Sequence, residues 1–213
     1  MGMISLENIV FQYPQGAAPV LNDFNACFSP GEIAVVKGKN GCGKTTLTKL
    51  LTGILHPSAG RVMVDGIDTS GMDLFEIGRR IGYVFQNPNR QLFCDTVSNE
   101  VAFGLKNLGY DDKQTAEKVR FYLELFGLAN YSETYPGKLS LGEKQRLVLA
   151  AVLALGTDYL VLDEPATGLD VRRQRELGDL LARLRRDNNC GIILVSHDSG
   201  FISRYADREL VMQ

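Results

Sequence analysis

The stretch "GKNGCGKT" (38–45) constrains this chain more than any other, because it stands between an apolar run and a helical one. "EIAVVK" (32–37) precedes it and reads as a strand, and the residues from about Lys44 to Gly53 read as a helix. The spacing is G-x-x-x-x-G-K-[ST] in the strand–loop–helix setting that gives the pattern its chemistry. Glycines let the backbone curl until successive N–H groups and the helix N-terminus point at phosphate oxygens. Gly38, Asn40, Gly41, Cys42, Gly43 and Thr46 are the candidate cradle. Lys44 is the candidate partner of β- and γ-phosphates, and the Thr45 hydroxyl a candidate Mg²⁺ ligand. Cys42, a thiol at a helix N-terminus beside Lys39 and Lys44, is expected to be reactive.

Around this loop the chain alternates strand and helix patterns. Ahead of it, "ISLENIVFQY" (4–13) and "VLNDFNACF" (20–28) read as strands between Pro/Gly turns, and "GRVMVDG" (60–66) as another behind it. From Thr96 to about Leu155 the pattern is helical, with Ala116, Val119, Leu123 and Phe126 recurring on one face. Two buried-type strands, "YLVLD" (159–163) and "GIILVS" (191–196), then flank a helix carrying Leu177, Leu180, Leu181 and Leu184. Strand–helix alternation at both ends predicts a mostly parallel sheet. The helical middle reads as an insertion into that α/β core.

Composition excludes several functions. A net charge of −2 gives no basic field for nucleic acid. The six arginines between Arg172 and Arg186 alternate with acids, as on a solvated helix face. The four cysteines lack metal-ligand spacing and are expected as reduced thiols. The longest apolar run, "LVLAAVLAL" (147–155), is roughly half a membrane span.

Two further segments carry chemistry. In "YLVLDEP" (159–165) a pair of carboxylates ends an apolar strand. Beside a phosphate loop, Asp163 can hold Mg²⁺ and Glu164 can polarise a water for attack on the γ-phosphate. His197, after the next strand, can then orient Glu164 and reach the γ-phosphate. In "LSLGEKQR" (139–146), Ser140 and Gly142 open a second phosphate-reading helix N-terminus, while Ser140 and Glu143 equally spell a capping box. One nucleotide does not need two such helix ends from one chain, whereas two chains facing head to tail supply the pair.

The phosphate loop, "LSLGE", "LVLDEP", "TGLD" (167–170) and "SHD" (196–198), in this order, resemble an ATP-binding cassette (ABC) nucleotide-binding domain over the whole chain, 1–213. The resemblance implies a P-loop NTPase core with a mostly parallel sheet, an N-terminal antiparallel β subdomain, and a helical subdomain inserted at approximately 88–155. It implies a dimer enclosing two ATP molecules. Tyr13 looks like the aromatic that stacks on adenine, Gln86 like the glutamine touching Mg²⁺ and the attacking water, and Asp170 like the aspartate crossing the dimer interface. "QNPNRQLFCDTVSNEVAFGLKNLG" (86–109) is similar to the glutamine loop of ATPases in energy-coupling factor (ECF) importers, including the cobalt and nickel type. That implies a peripheral subunit on the cytoplasmic face of the membrane. Its partners would be a second ATPase, identical or sister, and a transmembrane subunit met near Gln91, Leu92 and Phe93. The implied solute is a vitamin or a transition-metal ion. Alternative readings are a soluble ABC ATPase, against which the lack of a coiled coil or basic tract speaks, and a regulatory ATP-binding module.

The chain departs from the family pattern at Leu141, where glycine is usual, and at Lys39 and Cys42 in the phosphate loop. It ends after "ADRELVMQ", short of the C-terminal segment that many ECF ATPases carry.

Overall fold

Burial along the strands sorts them into two kinds. In a computed structural model, which describes residues 2–212, β3 (Ile33–Gly38), β7 (Tyr159–Asp163) and β8 (Gly191–Val195) are buried almost throughout. Continuous Val/Ile/Leu runs of this sort suit a parallel sheet covered on both faces. β1 (Ile4–Phe11), β2 (Leu21–Phe28) and β4 (Ala59–Val64) mix buried and exposed positions, as strands with one wet face do. The two kinds form separate sheets. An antiparallel one runs β2–β1–β4–β5, with β5 at Ile67–Asp68. A parallel one runs β6–β7–β8–β3–β9, with β6 at Ile81–Val84 and β9 at Arg208–Met212.

Helices cover the parallel sheet. α1 (Lys44–Leu51) follows β3 directly, and α6 (Val171–Asn188) buries Leu177, Leu180, Leu181 and Leu184 while its arginines stay mostly on the solvent side. Between β6 and β7 the chain makes α3 (Val97–Asn107), α4 (Asp112–Leu125) and α5 (Leu141–Ala154), which pack on one another. Val119, Leu123 and Phe126 are buried there as the period predicts. Ala116 is not: it is exposed, and Thr115 takes the inward position one residue earlier.

Several elements are additions to the sequence reading, β5 among them. α2 (Leu74–Arg80) starts at a complete capping box of Asp73 and Glu76, and α7 (Ser199–Tyr205) is capped by Asp198. β9 lies on the edge of the parallel sheet beside β3, in what reads as a short ending. Its entry is fixed by Asp207, whose carboxylate accepts the Ile33 N–H at 2.8 Å and whose own N–H donates to the Ile33 carbonyl at 2.9 Å.

Gly82 brings α5 close to the sheet. A Cβ there would stand 2.2 Å from Cγ1 of Val152 and 3.1 Å from Cδ2 of Leu160. Gly82→Ala must push α5 off β6, at a cost of about 1–3 kcal/mol. The melting temperature is expected to fall by about 2–4 °C per kcal/mol, and Val152→Ala in the same chain to restore part of the loss. Thermal unfolding of the two single variants and the double variant checks this.

Candidate functional site

Because every strand of the second sheet points the same way, its strand ends meet along one edge, where α/β folds hold ligands. β3 runs into the phosphate loop, β7 ends at Asp163, β8 leads to Ser196 and His197, and β6 to Gln86. The register aligns them: Val36 of β3 and Asp163 of β7 both pair with Val195 of β8.

The phosphate loop is tightly bent. Gly41 and Gly43 take φ of 85° and 98°, a conformation that side chains disfavour, and the Cys42 N–H donates to the Lys39 carbonyl at 3.2 Å. Lys44 is buried, and its ammonium donates to the carbonyls of Gly38 and Lys39 at 2.9 and 3.0 Å. Thr45 is exposed at the start of α1. Cys42 is half-buried, its sulfur over Gly38 and packed against the apolar cluster around Leu21 and Leu47. The expected reactive thiol is thus turned partly into the protein. Tyr13 stands beside the loop, edge-on to Phe11, with its hydroxyl 3.2 Å from the Thr46 hydroxyl.

Glu164 is the hub of the edge. It follows β7 with a φ of 49°, unusual for a side-chain-bearing residue, its N–H donating to the Val195 carbonyl at 3.0 Å. Gln86 donates to one carboxylate oxygen at 3.1 Å and the Thr167 hydroxyl to the same oxygen at 3.2 Å. His197 Nε2 lies 3.4 Å from the other oxygen. Gln86, Glu164 and His197 are therefore brought together. Thr167 was not singled out in the sequence, although "TGLD" contains it.

Asp163, beside this hub, is buried. Desolvation holds its carboxyl above the usual range, opposed by the Thr45 hydroxyl bond and reinforced by the Glu164 charge. Tyr83 of β6 is pushed up to about 12, mainly by burial, and its hydroxyl lies 3.2 Å from that of Thr48. Thr45, Asp163 and Gln86 offer hydroxyl, carboxylate and amide oxygens, a hard-donor set that fits Mg²⁺. The charges of Lys49 and Lys44 partly offset the burial of the Asp163 carboxylate, and a cation would offset it further.

A second group of predicted residues is bonded locally rather than to the phosphate loop. Ser140 and Glu143 cap α5 reciprocally: the Ser140 N–H and hydroxyl both donate to Glu143 at 2.7 Å, and the Glu143 N–H returns to the Ser140 oxygen at 3.4 Å. Asp170 caps α6 and pairs with Arg173 at 3.5 Å. Among the described residues, none of Ser140, Gly142, Glu143 and Asp170 makes a hydrogen bond or ion pair to residues 38–46. Leu141 is part-exposed over Gly168.

The loop after Gln86 corrects one expectation. Gln91 does not face outward; its amide donates to the Tyr83 carbonyl at 2.8 Å and accepts the Phe85 N–H at 3.2 Å, which ties the loop to the end of β6. Leu92 packs partly buried against the main core. Phe93 alone of the three projects, 66% exposed and edge-on to Phe103 at 4.8 Å. Its backbone N–H and that of Cys94 donate to the buried Glu100 carboxylate, at 3.0 and 2.8 Å. A two-residue apolar pair cannot both anchor a loop and face solvent, and here the two tasks are divided.

The family model described as "ABC transporter" matches residues 21–167. This chain belongs to the ABC transporter ATPases. A provisionally named ABC transporter ATP-binding protein of Pyrococcus horikoshii is 44% identical over 211 residues, covering 99% of this chain and 80% of the relative. The energy-coupling factor transporter ATP-binding protein EcfA of Methanothermobacter thermautotrophicus is 41% identical, over 99% of this chain and 68% of its own. CbiO1 of Clostridium perfringens, described as part of the ABC transporter complex CbiONQ, superposes with a TM-score of 0.90 at 32% identity, covering 99% of this chain and 84% of that one. The ABC ATPase family binds ATP, and its α/β architecture with separate parallel and antiparallel sheets is the one described above.

The cost of keeping Asp163 charged in a buried place gives a prediction. Asp163→Asn keeps the shape and removes the charge, so the protein without nucleotide or Mg²⁺ is expected to melt higher, by about 2–4 °C for each kcal/mol gained. ATP turnover is expected to fall steeply in the same variant. Calorimetry paired with a phosphate-release assay checks both signs.

Proposed function

We propose that this ABC ATPase energises an ECF-type importer of a vitamin or a transition-metal ion, from the cytoplasmic face of the cell membrane. The observation that carries the mechanism is the convergence of Gln86, Thr167 and His197 on the Glu164 carboxylate. Residues 1–213 act as a single cassette, with a helical subdomain at approximately 88–155. Among the described residues no helix is long and apolar enough to cross a membrane, so the chain would meet the bilayer through a partner.

In this reading ATP enters with its adenine against Tyr13 and its phosphates over Gly38, Asn40, Gly41, Cys42, Gly43 and Thr46. Lys44 leaves the carbonyls of Gly38 and Lys39 for the β- and γ-phosphates, exchanging neutral acceptors for charged ones. Thr45, Gln86 and Asp163 would hold Mg²⁺, which when bound neutralises charge on the phosphate oxygens. Glu164 takes a proton from the attacking water, Gln86 orients that water, and His197 steadies the carboxylate and reaches the γ-phosphate. Ser140, Gly142 and Glu143 read the nucleotide of a second ATPase chain, identical or sister, and Asp170 crosses the interface. Among the described residues none of them bonds to the phosphate loop of its own chain, which leaves them free for that arrangement.

Apart from the exposed Phe93–Phe103 pair, the helical lobe carries a groove of about 380 Å³ between α3 and α4, lined by Ala102, Val119 and Leu123 with Lys106 and Arg120 among its polar groups. An amphipathic helix of the transmembrane subunit fits such a groove, apolar side inward. CbiO1 is described as part of a complex, which supports a partner of this type.

Glu164→Gln is expected to retain MgATP binding, lose turnover by about 10²–10⁴-fold, and run as an ATP-dependent dimer with itself or a sister chain. Parent-rate hydrolysis would remove Glu164 from the role of base. Monomer alone in sedimentation, with ATP bound and partners supplied, would contradict the dimer. Phe93→Ala is expected to weaken capture by the membrane subunit while basal ATPase and melting temperature hold. Equal loss of all three would make Phe93 a packing residue.

A further inference from the structure

Gln145 is buried one turn into α5, in a helix stretch otherwise filled by Leu147, Val148 and Leu149. A buried amide needs partners, and the Gln145 Nε2 donates to the Pro165 carbonyl at 2.5 Å. Pro165 directly follows Glu164, the residue with a φ of 49°. The turn is held from inside by the Thr167 N–H on the Glu164 carbonyl at 3.2 Å, and from β8 by the Val195 carbonyl on the Glu164 N–H at 3.0 Å. Among the described residues, Gln145 is the hydrogen-bond partner of the Pro165 carbonyl. A backbone conformation of this sort persists only where its surroundings over-determine it.

We propose that Gln145 is a positioning residue for Glu164. By holding the peptide after it, the α5 amide keeps the left-handed turn closed and the carboxylate within reach of Gln86, Thr167 and His197. The inference rests on the reading of Glu164 as the base, and deepens it. The helix that would meet the partner chain's nucleotide at its N-terminus also sets the base of its own chain.

Gln145→Met keeps the side chain's length and removes the donor. On the full chain, kcat is expected to fall by on the order of 10–10²-fold, the loss typical of a slightly misplaced group, with KM for MgATP within about twofold. In a Glu164→Gln background the same change is expected to add almost nothing, because the group it positions is already gone. Backbone amide exchange at Thr167 is expected to quicken relative to α1 in the Gln145→Met protein. Gln145→Asn, one methylene too short, serves where Gln145→Met is poorly folded and is expected to behave alike. An unchanged kcat, an equal loss in both backgrounds, or a KM that rises in step overturns the proposal, as does failure of both variants to fold. Absence of ATP turnover in the parent protein would instead remove the underlying reading, whatever the variants do.

Discussion

The alignment of parallel strand ends is the constraint on which the site depends. Val195 pairs with Val36 on one side and with Asp163 on the other, so the phosphate loop and the acidic pair leave the sheet at one level. Parallel pairing forces each return to cross over the sheet, and here the β6-to-β7 return holds three helices. Gln86 at the start of that excursion and Asp163 at its end flank the same edge. The helical middle is thereby tied to the edge at both ends.

Charge placement at this edge works against stability. Asp163 is buried with its carboxyl held above the ordinary range, and Glu164 adds a second acid in a strained turn. A chain selected for stability alone would carry neither. The surroundings answer with fixed dipoles: the Thr45 hydroxyl toward Asp163, and the Gln86 amide and Thr167 hydroxyl toward Glu164. Such donors cost no reorganisation when charge shifts during reaction, which is the physical content of preorganisation.

Some of this was legible in the sequence, and physics explains which parts. The phosphate loop and "YLVLDEP" could be read because each joins a periodic apolar strand to residue types with one chemistry at fixed spacing. Asp73 and Glu76 spell the capping box of α2 as openly as Ser140 and Glu143 spell that of α5, so the start of α2 is legible in the sequence. β9 was not readable: "RELVM" buries only Met212 fully and exists as a strand because β3 offers it an edge. Gln91 misled because a glutamine in a polar loop carries no sign of which way it turns. Its inward direction follows from the free backbone groups of Tyr83 and Phe85, known only once β6 has ended. Thr167 and Gln145 act through residues distant in sequence, and nothing local marks them.

The glutamine loop shows how two tasks share few residues. At one end Gln86 contacts Glu164; at the other Phe93 faces solvent on the helical lobe. Between them, Gln91 ties the loop to β6, and Glu100 ties it to α3 through the N–H groups of Phe93 and Cys94. Burial, with the Glu100 charge beside it, pushes the Cys94 thiol up to about 11. Lys144 at the head of α5 adds a third tie, donating to Asn89 at 2.8 Å. A loop fixed at these points cannot shift Phe93 without straining bonds that lead back to Gln86. For a subunit proposed to convert events at a phosphate into motion of a partner, that stiffness is what allows a displacement at one end to reach the other.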